Sequence, residues 1–388
     1  MMSIMARRLL ALTFALVFLA VGFTGCGKED TSGKLVIGGT GPLTGEASTY
    51  GTSVKRGAQI AIDEINDAGG INGIKLEFIF EDDEADGTKA KTAFEKLMDN
   101  GMQIFMGTVT SGAGVALNEA IKNEGLLQVA PSASQIEAIE NPNSFRICFN
   151  DVDQGKAMAE FIYQKLGYTK AAILYNQDDS YSSGLYDAFK KRWTELGGSI
   201  SADTSFAKAA TDFNAQLTKI AGSDAEFLFL PIYAEKAAQI IIAANEKNIK
   251  LPLLGCDGLD GILNYLTGNN VKLVEGLIYY TPFLASDPSE KVQSFVAKYK
   301  EKYNLEPDQF AADAYDAVYV IKAAIEKAGL TVEDTGLTAK ELGNKLVPVM
   351  TQIEVDGLTG KMTFSASGEP TKSAKVAQIK DGKYVAKD

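Results

Sequence analysis

Two turns rich in hydroxyl side chains follow predicted strands, and together they could bind an anion. The first spans Gly107–Gly112 and the second spans Pro131–Ser134. Their hydroxyl groups belong to Thr108, Thr110, Ser111, Ser132 and Ser134. Hydroxyls and free backbone N–H groups at the start of a helix attract anions. Neither turn has the lysine of a phosphate-binding loop, so a carboxylate suits them better than a triphosphate. Each turn alone is also typical of a simple helix cap.

An acid and two tyrosines follow strands in the second half of the chain and could bind a cation. They are Asp257, Tyr181 and Tyr233. Open α/β sheets bind ligands at the carboxyl ends of their strands, so we expect these residues to face the hydroxyl turns across a cleft. Singly, the tyrosines have a simpler interpretation as core-edge aromatics, and Asp257 as an Asp-Gly turn. Jointly, the two sets fit a zwitterion such as an amino acid.

Two observations exclude other kinds of site. The glycine-rich turn Gly38–Gly45 resembles a dinucleotide fingerprint, but Thr44 occupies the third glycine position and Pro42 interrupts the turn. The chain contains no histidine, which excludes Ser-His-Asp and Cys-His catalysis and His-ligated zinc. We therefore expect no cofactor and no metal. An enzyme would need carboxylates, lysine or tyrosine for its proton transfers.

The elements that must hold these turns alternate between apolar strands and amphipathic helices. Strands are predicted at 34–39, 75–81, 103–107, 126–130, 171–175, 227–231 and 251–255. Helices are predicted at 51–68, 87–100, 114–124, 184–196, 234–245, 289–303 and 308–328. Residues 361–386 alternate apolar and polar side chains around glycines, which predicts a β-hairpin. The pattern indicates an α/β protein with two lobes, each a mostly parallel sheet flanked by helices.

The N-terminus predicts export and a lipid anchor. Arg7 and Arg8 precede an apolar run at 9–21, shorter than the roughly 20 residues that span a bilayer. Phe23–Cys26 resembles a bacterial lipobox, in which the thiol of Cys26 takes a lipid and becomes the new N-terminus. The alternative is an ordinary signal peptide with a chance cysteine. We expect a signal peptide at 1–25, a tether at 26–33, and an extracytoplasmic protein held to the cell membrane only through the Cys26 lipid.

The net charge and the cysteine content restrict which binding partners and disulfide bonds are expected. The net charge is −12 without a basic cluster, which argues against nucleic acid or anionic lipid. Cys148 and Cys256 cannot form a disulfide framework, although one bridge is possible. Cys148 lies in an apolar run, which favours a buried free thiol. The chain left after signal removal suggests two domains.

The order and spacing of these motifs resemble the type I extracellular solute-binding proteins of ABC importers, and among them the branched-chain amino acid (Leu/Ile/Val) group. The resemblance runs from Lys34 to the C-terminus. Its landmarks are Gly38–Gly45, Tyr50-Gly51, Gly57-Ala58, Asn66–Gly73, Glu81–Asp83, Gly107–Ser111, Ala130–Ser134, Tyr181, Tyr233 and Ala314–Ala317.

That resemblance implies a two-lobed fold with three hinge crossovers, near 146–151, 277–283 and 360–364. Lobe 1 would comprise 34–147 and 283–360, and lobe 2 would comprise 148–282 and 361–388. The implied protein catalyses nothing. It closes on one free amino acid, branched-chain or otherwise aliphatic, and delivers it to a membrane permease as a monomer.

The resemblance also assigns site residues. Ser111 and Ser134 would bind the ligand carboxylate, with Ala133 between the two serines of its turn. The Ser132 carbonyl and the Ser134 hydroxyl would help hold the ammonium, with Asp257 as counter-ion. The ligand side chain would be surrounded by Tyr50, Val109, Thr110, Tyr181, Tyr233 and Phe310.

Three departures from the group leave the exact amino acid open. Asp257 is one methylene shorter than the group's glutamate, Ala85 replaces a cysteine that some relatives pair, and Thr110 makes the pocket slightly polar. The same fold could instead bind a sugar, an amide or an aromatic acid. A Ser-Lys hydrolase would need a lysine in the strand-end turns, which contain none. A sensory domain would need a fused transmembrane or signalling segment.

Overall fold

The computed structural model describes residues 33–373 and 375–387. The predicted signal peptide and Cys26 lie outside the described residues. Within them, no helix combines the length and the apolar character that crossing a membrane requires.

The first sheet has five parallel strands in the order β2-β1-β3-β4-β5. The strands are β1 (Lys34–Gly41), β2 (Lys75–Asp82), β3 (Ile104–Phe105), β4 (Gln128–Ala130) and β5 (Ser144–Arg146). The helices between them are α1 (Ser48–Asp67), α2 (Gly87–Asp99) and α3 (Ser111–Glu124). The central strand β1 is buried along nearly its whole length, because helices cover both faces of the sheet. We call this sheet and its helices lobe 1.

The second sheet has seven strands in the order β14-β13-β10-β9-β8-β6-β7. They are β6 (Lys170–Asn176), β7 (Ser199–Phe206), β8 (Phe227–Leu230), β9 (Leu253–Gly255), β10 (Ile278–Thr281), β13 (Lys375–Lys380) and β14 (Lys383–Ala386). Their helices are α4 (Asp151–Phe161), α5 (Ser180–Glu195), α6 (Asn214–Ala221) and α7 (Ala234–Glu246). Strands β6 to β10 are parallel, and β13 and β14 form the predicted antiparallel hairpin. This sheet and its helices are lobe 2.

The chain crosses between the lobes at three places. It leaves the first sheet after Arg146 and enters lobe 2 at α4. It returns after β10 through α8 (Glu290–Tyr303) and α9 (Gln309–Ala328), which pack on α1, and α10 (Ala339–Leu346) follows. A small hairpin of β11 (Val355–Gly357) and β12 (Gly360–Met362) precedes the last passage to β13. The predicted two-lobed α/β fold class is confirmed.

Helices α1 and α9 form the tightest contact in lobe 1. A Cβ at Gly57 would lie 1.9 Å from the backbone oxygen of Ala311, so only glycine permits this close approach. The apolar stripe of α1, including Val54 and Ala58, is fully buried, and α1 packs on α9. The close crossing matters for function because α1 carries Tyr50 and α9 carries Phe310.

Three strands of the two large sheets, and the small hairpin of β11 and β12, lie outside the sequence prediction. Both cysteines of the described residues are free. Strand β10 falls in a segment expected to be a crossover, and β5 ends where another expected crossover begins. Edge strand β7 is only partly buried, so its polar residues hide the strand pattern. Cys148 and Cys256 are buried free thiols. The sequence favours this state for Cys148 and leaves a bridge between the two cysteines possible.

Candidate functional site

The hydroxyl turns of lobe 1 come together at the start of α3. The Ser111 hydroxyl accepts hydrogen bonds from the backbone N–H groups of Ser134 (3.2 Å) and Gln135 (3.1 Å). It lies 3.4 Å from the Ser134 hydroxyl. Thr110 precedes the helix without capping it, and its buried Oγ1 has no partner among the described residues. The Ser132 hydroxyl donates to the Val109 carbonyl at 2.8 Å, which ties the two turns together.

Lobe 2 contributes a buried acid bonded to a tyrosine. Asp257 begins the turn after β9, and 5% of it is exposed. Its Oδ1 accepts a 2.7 Å hydrogen bond from the Tyr181 hydroxyl, which also accepts one from the Gly258 N–H at 2.7 Å. The Asp257 N–H donates to Oε1 of Gln154 at 3.3 Å. Burial raises the pKa of Asp257 to about 6, and the Tyr181 hydrogen bond opposes that shift.

Four aromatic rings from both lobes line the space between these polar groups. Tyr181 and Tyr233 stack with their planes 7° apart and their centroids 4.7 Å apart. Tyr50 packs edge-on against Phe310 at 4.5 Å and contacts Tyr233 at 5.3 Å. The rings provide an apolar surface on which a ligand side chain would lie.

Hydrogen bonds across the cleft hold the two lobes together. The Tyr50 hydroxyl donates to the Gly258 carbonyl and accepts from the Ala234 N–H, both at 2.7 Å. Gln309 of α9 donates from Nε2 to the Asp257 carbonyl at 3.1 Å. At the rim of the cleft, the Lys236 ammonium, whose side chain is 8% exposed, lies 3.0 Å from the Glu46 carboxylate.

The site is therefore shut. The cavity left at its centre measures ≈ 10 Å³, about the space that one water needs. It is lined by Tyr50, Val109, Thr110, Ser132, Tyr181, Tyr233, Asp257, Gly258 and Phe310. A wider cavity of ≈ 600 Å³ lies between the lobes outside it, and Thr110 and Tyr233 line both. An amino acid fits only if the lobes separate by some distance or the rings move.

The structure places all eleven residues predicted for the ligand in this one region. Eight line the small cavity directly. Ser111 and Ser134 lie in the same turns, bonded to each other as described. Ala133 is buried between Ser132 and Ser134, and its carbonyl accepts a 2.9 Å hydrogen bond from Nη1 of Arg146. Their roles toward a ligand stay predictions.

Five more residues belong to the site and escaped the sequence analysis. They are Arg146, Asp151, Gln154, Gly258 and Gln309. Gln154 lies one turn into α4, which follows the first crossover, and Gln309 begins α9, the second helix after the second crossover. The signal in the sequence is position, because Arg146, Asp151 and Gln154 lie in or just after the crossover expected at 146–151. The described residues contain no cluster of acids or thiols that could hold a metal ion.

Comparison with known proteins gives a consistent result. The family model described as "Periplasmic binding protein" matches residues 34–383. The Leu/Ile/Val-binding protein homolog 3 of Brucella melitensis is 30% identical over 371 residues, covering 94% of this chain and 95% of the relative.

Solved structures share the fold. The branched-chain amino acid transporter substrate binding protein LivJ of Streptococcus pneumoniae, in complex with isoleucine, superposes with a TM-score of 0.82 at 28% identity. The match covers 91% of this chain and 99% of that protein. A solute binding protein of R. palustris in complex with benzoate has a TM-score of 0.81 at 22% identity, covering 91% and 95%. That second likeness concerns the fold alone.

Proposed function

Because this chain belongs to the periplasmic binding protein family, we propose that it is the substrate-binding protein of an ABC importer for a free amino acid, branched-chain or otherwise aliphatic. Its similar proteins carry names of Leu/Ile/Val-binding and branched-chain amino acid proteins rather than of enzymes. The chain binds its ligand between the lobes, catalyses no reaction, and delivers the ligand to the permease.

One observation carries this proposal: the two lobes bring opposite binding groups to the same buried cleft. Lobe 1 presents the hydroxyls of Ser111 and Ser134 at the positive end of α3. Lobe 2 presents the Asp257 carboxylate with the Tyr181 hydroxyl. A ligand carboxylate matches the first set and a ligand ammonium matches the second, which is the charge arrangement of an α-amino acid.

The mechanism is closure coupled to ligand contacts. A zwitterion touching both lobes binds the closed arrangement better than the open one, and so shifts the population toward it. We assign 34–147 and 283–360 to lobe 1 and 148–282 and 361–388 to lobe 2. We also propose export with a signal peptide at 1–25 and anchoring through a lipid on Cys26, with 26–33 as the tether of an extracytoplasmic monomer.

An aromatic acid is the second candidate ligand. The stacked Tyr181 and Tyr233 rings and the neighbouring Tyr50 would suit an aromatic ring, and a benzoate-bound protein shares the fold. Benzoate, however, has no cation for Asp257, so that carboxylate would stay buried and uncompensated at an energetic cost. The acid therefore favours a ligand with an amino group.

A thermal-shift screen of the chain from residue 27 onward tests this proposal. The panel comprises the common amino acids, benzoate, 4-hydroxybenzoate and simple sugars. An aliphatic amino acid at 100 times its dissociation constant should stabilise the folded protein by about 2.7 kcal/mol. Stabilisation by an aromatic acid or a sugar, with none by any amino acid, would contradict the proposal.

A further inference from the structure

Asp151, the first residue of α4, is a buried carboxylate without a hydrogen-bond partner. It is 0% exposed, and neither Oδ1 nor Oδ2 has a partner among the described residues. A buried ionised carboxylate is strongly disfavoured unless a cation or several donors compensate it. Asp151 begins the helix that follows the first crossover, next to the cleft, so its neighbours show what could compensate it.

Asp151 lies among the groups already assigned to the ligand. Its N–H donates to the Ser134 carbonyl at 3.1 Å, which fixes the start of α4 against the anion turn of lobe 1. One turn later on α4, Gln154 accepts from the N–H of Asp257. Residues three apart share a helix face, so Asp151 and Gln154 lie on the same side of α4.

The carboxylate of Asp151 packs against α5 at Gly184, which has no side chain to displace it. A Cβ added to Gly184 would lie 3.1 Å from Oδ2 of Asp151 and 3.0 Å from Oε1 of Gln135. Tyr181, the partner of Asp257, is on the same helix one turn earlier. Asp151 therefore sits between Ser134, Gly184 and the Tyr181–Asp257 pair.

The two buried cations near the site are engaged by other groups. The Arg146 guanidinium is engaged by Glu369 at 3.2 Å and by three backbone carbonyls. The Lys372 ammonium is engaged by Asp313 at 3.3 Å. Among the described residues, neither Asp151 nor Asp257 has an ion-pair partner. Two buried carboxylates thus lie near each other, and neither has an ion pair of its own.

We propose that Asp151 is a second carboxylate for the ligand's ammonium group, beside Asp257, and that this pair makes a cationic amino group a requirement for tight binding. The inference rests on the proposed function and deepens it. A second acid also accounts for the short Asp257, since two carboxylates can share an ammonium that one short side chain reaches incompletely.

The titration behaviour agrees with this arrangement. Burial raises the pKa of Asp151 well above its usual range, and the nearby charge of Asp257 raises it further. The nearby Ser134 hydroxyl, which does not meet hydrogen-bond geometry with either carboxylate oxygen, and the Arg146 guanidinium oppose the shift. Asp179, just before α5, adds to it. An ammonium placed between Asp151 and Asp257 would favour the ionised form of both.

The test compares Asp151→Asn with Asp153→Asn, using the chain from residue 27 onward. Asp153 is exposed in the same first turn of α4 and controls for the loss of a negative charge at that helix end. The probes are L-leucine and 4-methylpentanoate, which is leucine without its amino group. Calorimetry gives the affinity of each, and thermal unfolding gives the stability of the ligand-free protein.

We expect Asp151→Asn to weaken L-leucine binding about 10- to 150-fold, the usual cost of one charged hydrogen bond. Binding of 4-methylpentanoate should be unchanged or stronger, and the ligand-free melting temperature should not fall. Asp153→Asn should change none of these quantities.

Two outcomes would overturn the inference while leaving the proposed function intact. One is an unchanged leucine affinity in Asp151→Asn. The other is an equal loss for both probes with a lowered melting temperature, which would show a structural role. Wild-type protein that binds no amino acid in the screen would instead overturn the proposed function, and this inference with it.

Discussion

The Asp257 carboxylate offers the most direct test of the proposed site, because one substitution removes its charge and little else. Asparagine has the same shape, and its side-chain oxygen can still accept the 2.7 Å hydrogen bond from Tyr181. The Gly258 N–H keeps its bond to the same tyrosine. Asp257→Asn therefore leaves the turn after β9 intact and changes only the electrostatic partner of the ligand.

The expected magnitude follows from the burial of the pair. Asp257 is 5% exposed, and no lysine or arginine of the described residues pairs with it, so a bound ammonium would be its cation. Removing one partner of a buried ion pair costs about 3–5 kcal/mol, or roughly two to three and a half decades of affinity. If Asp151 shares the ammonium, the loss should lie near the lower end of that range.

Isothermal calorimetry with L-leucine, or with the amino acid that the screen identifies, measures this loss. Asp257→Glu should be tolerated better than Asp257→Asn, because it keeps the charge and lengthens the side chain. The ligand-free melting temperature should stay the same or rise, since a buried charge is removed. An Asp257→Asn protein that binds within a few-fold of wild type would refute the reasoning and remove Asp257 from the ligand.

Three further results are expected. Gly57→Ala should lower the melting temperature, because the new Cβ would lie 1.9 Å from the Ala311 oxygen and such overpacking costs about 1–3 kcal/mol of stability. An unchanged melting curve would contradict the tight crossing of α1 and α9. Burial raises the pKa of Asp83 and of Asp257 to about 6, so the folded ligand-free protein binds more protons than the unfolded chain between about pH 4 and 6. Its free energy of unfolding should therefore fall as pH rises through that window, and urea titrations showing a rise would contradict this. Cys26→Ala should abolish lipidation while leaving ligand affinity unchanged, and mass spectrometry showing a wild-type N-terminus that begins elsewhere without a lipid would contradict the anchor.

The parts of the fold that the sequence predicts are those whose pattern is local. Strand β8 is a continuous apolar run buried on both faces, and α9 carries an apolar stripe that packs on α1. Edge strand β7 has polar residues on its open side and so lacks either pattern. Strand β10 forms hydrogen bonds with β9 on one side and β13 on the other. Its strand structure therefore depends on the assembled sheet and cannot be predicted from its four residues alone.

The site residues also divide into those with a local signal in the sequence and those without one. Ser111, Ser134 and Asp257 were predictable, because parallel strands bring their carboxyl ends to one edge and each of these residues follows such a strand. Asp151 and Gln309 follow no strand directly; they begin helices after the chain has passed from one lobe to the other. Their place beside Ser134 and Asp257 depends on how the two lobes meet, and no short segment encodes that.

The Tyr50 hydroxyl gives this protein a natural reporter of its own motion. Ala234 begins α7, where a backbone N–H has no acceptor within its own helix. In the closed arrangement that N–H is protected only by the Tyr50 hydroxyl, which reaches it from the other lobe. The rate of deuterium uptake at this single amide should therefore report how often the lobes open. Amides deeper in α7 should exchange only when the helix itself unfolds. The protection factor of the Ala234 amide gives the free energy of opening, and the protection factors of the deeper amides give the free energy of unfolding. Growth of the Ala234 value with ligand concentration measures the coupling between binding and closure without any label.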